Sequence, residues 1–172
     1  MAEFIFKDMV RKSGLRVEGE SLRQAPLPAS QAEWPDRPDL SERTDDLEVV
    51  RVDSAAVSYE EEGNDIYPPA KRALQAHGIP FGRHGAHRVA DAEASEYDVI
   101  VIMDTSNRRL LSRILSQRNM PKVHMMMEYV GKDSDVSDPW YTGDFEKAYR
   151  DITEGCEGLL ASLKNDEGGN NL

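Results

Sequence analysis

The residues best suited to chemistry lie together in "DVSDPWYTGDFE" at 135–146. Asp138 stands directly before a proline, which biases its backbone to an extended conformation and stiffens it. Trp140 and Tyr141 follow, then a glycine and a helix start. A carboxylate on a stiff loop beside aromatic walls suits proton transfer to a phenolic leaving group. Taken alone, the segment reads more simply as a turn before a helix, with Trp140 and Tyr141 as packing. Other reactive side chains are scattered. Cys156 is the one cysteine. It falls on the apolar stripe of a helix, where burial raises a thiol's pKa and leaves it inert. It never meets the four histidines at a metal-ligand spacing, so neither a metal nor a cofactor is expected. His77 reads as a helix-end histidine at the negative end of the dipole. His84 and His87, in "GRHGAHR", read as part of a solvated loop.

The elements that must position these residues alternate along the chain. "MAEFIFKDMVRKSGL" is a helix with Ala2, Ile5, Phe6, Met9 and Val10 on one side and Gly14 at its end. No Ser, Thr, Asp or Asn precedes it to satisfy its first N–H groups, which predicts that a piece is missing ahead of it. "LEVVRV" (47–52), "YDVIVIMD" (97–104) and "KVHMMMEYV" (122–130) read as strands, the second buried on both faces. "PPAKRALQAHG" (68–78) and "SNRRLLSRILSQ" (106–117) read as helices, the second with Arg108, Arg109 and Arg113 in water. The clearest helix is 144–163, where Phe145, Ala148, Tyr149, Ile152, Cys156, Leu159, Leu160 and Leu163 keep the 3–4 spacing.

This alternation predicts a three-layer α/β fold, a central parallel sheet flanked by helices, as one domain over 1–163. Ligands in such folds bind beyond the carboxyl ends of the strands. Residues 16–46, with scattered prolines and charges and no apolar period, read as a long insert in which Trp34 is a local anchor. Residues 164–172 read as a polar tail.

A formal net charge of −11 argues against a nucleic-acid surface. No apolar run is long enough to span a membrane, and no signal sequence opens the chain. A single cysteine suits a reducing cytoplasm.

Five segments in order, "MAEFIFKDMV", "DSAAVS", "GNDIYPPAKRALQAHGI", "YDVIVIMDTSNRRLLSRI" and "DPWYTGDFEKAYRDITEGCEGLL", closely resemble the low-molecular-weight protein tyrosine phosphatases. The resemblance covers 1–14 and about 47–163. In that family a first strand runs into a C-x5-R-S loop that cradles phosphate, and the helix it feeds matches the one opening here. The cysteine thiolate attacks phosphorus, the arginine forks onto the phosphate oxygens, and a loop aspartate protonates the leaving phenol. The resemblance implies that Asp138 is this general acid/base and that Trp140 and Tyr141 wall the phosphotyrosine cleft. It implies that Ser54 braces the phosphate loop. His84 and His87 match a family loop at the site's rim, and Asp104 supports neighbouring loops.

The chain departs from the family in one respect: it has no C-x5-R. The first strand, expected between those matching 47–52 and 97–103, is missing with it. Two expectations follow: the chain as written is catalytically inactive, and it folds poorly alone. The leading reading is a phosphatase lacking its N-terminal strand and loop, acting on phosphotyrosine proteins or small aryl phosphates. The alternative is a non-catalytic pseudophosphatase that binds or scaffolds. An arsenate reductase on the same fold fits less well, because its thiol relay needs more cysteines. Phosphoarginine as substrate stays open.

Overall fold

The computed structural model describes residues 1–18 and 49–168, without the side chains of Tyr141 and of 166–168. Most of the predicted insert, Trp34 included, lies outside the described residues.

Helix α1, Ala2–Lys12, buries Phe4, Ile5, Phe6 and Val10. Met1 precedes it as the N-cap, with no side-chain hydrogen bond there. The chain turns at Gly14 (φ 86°), a left-handed backbone that favours glycine. A two-residue strand β1, Arg16–Val17, then pairs in parallel with β2, Val49–Val50. The predicted insert therefore begins two residues too early, since 16–17 are strand: a dipeptide is too short to show a period against polar flanks. Helix α2 is Pro68–Ala76 and the short α3 is Asp91–Ala94. Strand β3, Ile100–Ile102, pairs in parallel with β4, Val123–Met125. Between them lies α4, Thr105–Leu111. Two further helices close the chain, α5, Pro139–Thr142, and α6, Phe145–Gly168.

Residues around β3 alternate between two cores, as expected of a strand covered on both faces. Val99, Val101 and Met103 face the first, with α1, α6, Met126 and Met127. Ile100 and Ile102 face the second, with Ala94, Leu111, Leu115 and Val123. This is the three-layer arrangement read from the sequence. Among the described residues, however, the sheet is two separate parallel pairs, β1–β2 and β3–β4, with no ladder joining β2 to β3.

Two predicted elements change character part-way along. The 106–117 helix stops at Leu111, and the strand at 122–130 becomes a 3-10 turn from Met126 to Val130, ended by Gly131 at φ 69°. Its apolar methionines serve the core without being strand. The last helix, by contrast, runs on to Gly168, beyond the apolar stripe, so the first part of the polar tail is helical. That helix lies close to the 126–130 turn: an added Cβ at Gly158 would stand 2.4 Å from the Tyr129 carbonyl oxygen. Among the described residues, no helix is long and apolar enough to cross a membrane.

Candidate active site

The 135–143 segment is fastened before it reaches Asp138. Thr105, at the start of α4, donates its N–H (3.0 Å) and hydroxyl (2.8 Å) to Asp135 Oδ1. Val136 N–H bonds the Met103 carbonyl at 2.9 Å, just past β3. Ser137 N–H reaches Asp151 Oδ2 on α6 at 3.1 Å. Burial alone would raise the Asp151 carboxyl, but the bonds from Lys147 and Ser137 outweigh it and hold it below its ordinary value.

Asp138 (φ −80°, ψ 110°) is the N-cap of α5, its Oδ1 accepting the Trp140 N–H at 2.8 Å. Asp is a favoured residue at this position because its oxygen satisfies a first-turn donor. The carboxylate is solvent-exposed. The Trp140 ring, 66% exposed, lies 5.3 Å from the Tyr67 ring, which is 6.0 Å from Phe145. Tyr141 lies in α5.

Asp138, Trp140 and Tyr67 line one side of a cleft of about 710 Å³, which also reaches Met1, Ser54 and Asp104. It thus opens at the N-terminus of α1, where the backbone dipoles favour an anion. Asp104 accepts the Asn107 N–H at 2.6 Å and caps α4.

Ser54 is set by α1. Its hydroxyl donates to Glu3 Oε2 at 2.5 Å and lies 3.4 Å from His84 Nε2. Glu3 also pairs with Lys7 at 2.6 Å and lies 3.4 Å from His84 Nδ1. The ring of His84 packs edge-on against Phe4. The reading of His84 as solvated loop is therefore corrected: it is half-buried and lines the cleft. His87 bonds Glu93 at 2.7 Å, which raises its pKa against the opposing effect of burial. Both histidines also line a smaller, polar hollow of about 330 Å³ beside Asp53 and Tyr97. His77 caps α2 and stacks on Tyr149 at 3.6 Å between ring centres.

The structure thus brings together Asp138, Trp140 and Ser54. Sequence reasoning missed Glu3, one charge among several on the first helix, and Tyr67. The signal for Tyr67 was an aromatic residue directly before the "PP" that starts α2. Cys156 is fully buried and burial pushes its thiol up to about 12. It cannot serve the cleft.

A parallel α/β fold with this cleft at the head of its first helix defines a class, and the chain belongs to the low molecular weight phosphotyrosine protein phosphatase family, whose model matches residues 41–168. Among its relatives is the low molecular weight protein-tyrosine-phosphatase YfkJ of Bacillus subtilis, 29% identical over 170 residues, or 97% of this chain and 88% of YfkJ. The human low molecular weight phosphotyrosine protein phosphatase is 33% identical over 115 residues, 64% of this chain and 72% of the human one. The crystal structure of YfkJ superposes with a TM-score of 0.71, covering 96% of this chain and 86% of that one.

Proposed function

We propose that this chain supplies the acid, the aromatic wall and the loop brace of a phosphotyrosine phosphatase. The observation that carries the reading is the placement of Asp138. One oxygen is held by the Trp140 N–H, and the other has no partner among the described residues. Protonated, the carboxyl hands its proton to the phenolic oxygen as the P–O bond breaks. As carboxylate, it then takes a proton from the water that attacks the cysteinyl-phosphate. Trp140, with Tyr67 and Tyr141, receives the substrate ring. Ser54, held to Glu3, braces the phosphate loop above α1. The substrate is a phosphotyrosine protein or a small aryl phosphate, in a reducing cytoplasm.

The nucleophile is the step these 172 residues do not provide, since they contain no C-x5-R. The activity we propose belongs to this fold joined to such a loop ahead of α1. By themselves the 172 residues are inactive, and the buried thiol of Cys156 favours, for them, the second reading of a binding protein. The test is to join the strand and C-x5-R loop of YfkJ to Met1 and follow para-nitrophenyl phosphate. The joined protein should turn over and the chain alone should not. Asp138→Asn in the joined protein should lower kcat by about 10²–10⁴-fold. A folded joined protein without turnover, or with full turnover as Asp138→Asn, would overturn the reading.

A further inference from the structure

Beside the cleft, the 56–64 loop holds an unusual pair. Tyr59 is 67% exposed, and its hydroxyl accepts a hydrogen bond from Arg88 Nη1 at 3.2 Å. The guanidinium carbon lies 4.8 Å from the centre of the tyrosine ring. In a chain of formal net charge −11, an arginine would be expected to hold a carboxylate. Among the described residues no acidic side chain ion-pairs with this one; only its backbone N–H meets Glu62, at 3.3 Å.

The loop is firmly placed. Ala56 and Arg88 form a parallel bridge, Gly63 N–H bonds the Ala86 carbonyl at 2.7 Å, and Ala86 N–H bonds the Asn64 carbonyl at 2.9 Å. Glu62 N–H to the Tyr59 carbonyl, 3.1 Å, closes a turn that holds the tyrosine outward. Three glutamates follow Tyr59 in sequence, a charge pattern that complements a basic substrate groove.

We propose that Tyr59 is a phosphorylation site for an acid-directed protein-tyrosine kinase and that Arg88 receives the phosphate. In the transfer, the Tyr59 oxygen bonds the γ-phosphorus of a kinase-bound nucleoside triphosphate. The bond from that phosphorus to the β–γ bridging oxygen breaks, the phenolic proton passes to the kinase's base, and nucleoside diphosphate leaves. The ester brings three strong acceptor oxygens and a charge of about −1.5 to −2. They arrive where a guanidinium donor already points, suited to a forked, charge-assisted pair. Three other tyrosines are already engaged. Tyr67 packs between Trp140 and Phe145, Tyr97 donates to Asp53, and Tyr149 is stacked on His77. Glu60 and Glu61, the next two residues, line the cleft, so the modification sets a dianion at its rim.

The test incubates the full chain with such a kinase domain and ATP, beside a free peptide of residues 58–65, and maps sites by tandem mass spectrometry. Tyr59 should be modified first, and Tyr59→Phe should lose most of the incorporated phosphate. Arg88→Ala should keep the site, but in a ³¹P titration its phosphate should hold the second proton to a pH higher by about half a unit or more than in the parent. Modification of the peptide but not of Tyr59 in the chain would overturn the proposal. So would a different tyrosine modified first, or no modification of either. Identical titrations in parent and Arg88→Ala would remove Arg88 as the receiver.

Discussion

Replacing Gly158 by alanine pits two well-measured effects against each other. Mid-helix, the change favours the fold by about 1 kcal/mol through helix propensity. Against this, the new Cβ would lie 2.4 Å from the Tyr129 carbonyl oxygen, 2.8 Å from its carbon and 2.9 Å from Val130 Cγ1. Ordinary contact begins near 3.4 Å, so α6 and the 126–130 turn would have to part by about 1 Å. Two of the three obstacles are backbone and cannot rotate away. Overpacking of this kind costs about 1–3 kcal/mol. The turn also carries Met126 and Met127 into the core, which places the cost toward the upper end. The expected net loss is about 1–2 kcal/mol, or a fall in melting temperature of about 2–8 °C for a chain of this length. Urea titration and thermal melting of parent and variant measure it directly. Gly155→Ala should cost less, because the two atoms nearest its Cβ are the side-chain Cγ and Sδ of Met126, and the backbone obstacle, the Met126 carbonyl oxygen, stands farther off at 2.9 Å. A Gly158→Ala variant as stable as the parent would refute the close approach.

Asp138→Ala should lower stability by about 1 kcal/mol or less, the loss of one cap on a four-residue helix. Asp138→Asn keeps the cap and should melt with the parent; a large drop for Asn would mean the carboxylate is structural. The raised pKa of His87, due first to Glu93, makes its pair stabilising in full below the ordinary value of 6.5 and lost as pH climbs through the higher folded value. The urea midpoint should therefore fall from pH 6 to pH 8 less in His87→Gln than in the parent, and equal falls would count against the pair. Finally, unpaired buried backbone groups cost roughly 1–3 kcal/mol each, against a domain stability of about 5–15 kcal/mol. With β2 and β3 in separate sheets, the 172-residue chain should melt low and broadly, and the loop-joined protein clearly higher. A sharp, high-temperature transition for the chain alone would refute this.

The layers were legible because burial leaves a period. The α6 stripe predicted Ala148, Ile152, Cys156 and Leu159, all buried. The apolar run at 97–104 predicted a strand covered on both faces, and its residues do alternate between two cores. What failed was short or locally ambiguous. Arg16–Val17 and Asp91–Ala94 are too brief to carry a period. Met126 and Met127 are core residues whichever backbone presents them, so composition could not separate strand from 3-10 turn. In the cleft, Asp138 and Trp140 were found through a single stiff segment. Glu3, Ser54 and His84 come from three distant stretches, and their meeting is a matter of tertiary placement that spacing along the chain does not encode.

The ties at Asp135, Val136 and Ser137 run to α4, to the residue just past β3 and to α6, while Gly143, at φ 70°, closes α5 on its other side. What lies between is a small lever, four helical residues with the Asp138 carboxylate at one end. The Trp140 backbone N–H holds the Asp138 carboxylate, so the acid moves with the backbone of this lever while the indole turns about its own bonds. A shift of the α5 backbone therefore carries the Asp138 carboxylate with it, whereas a turn of the Trp140 ring alone leaves the carboxylate in place.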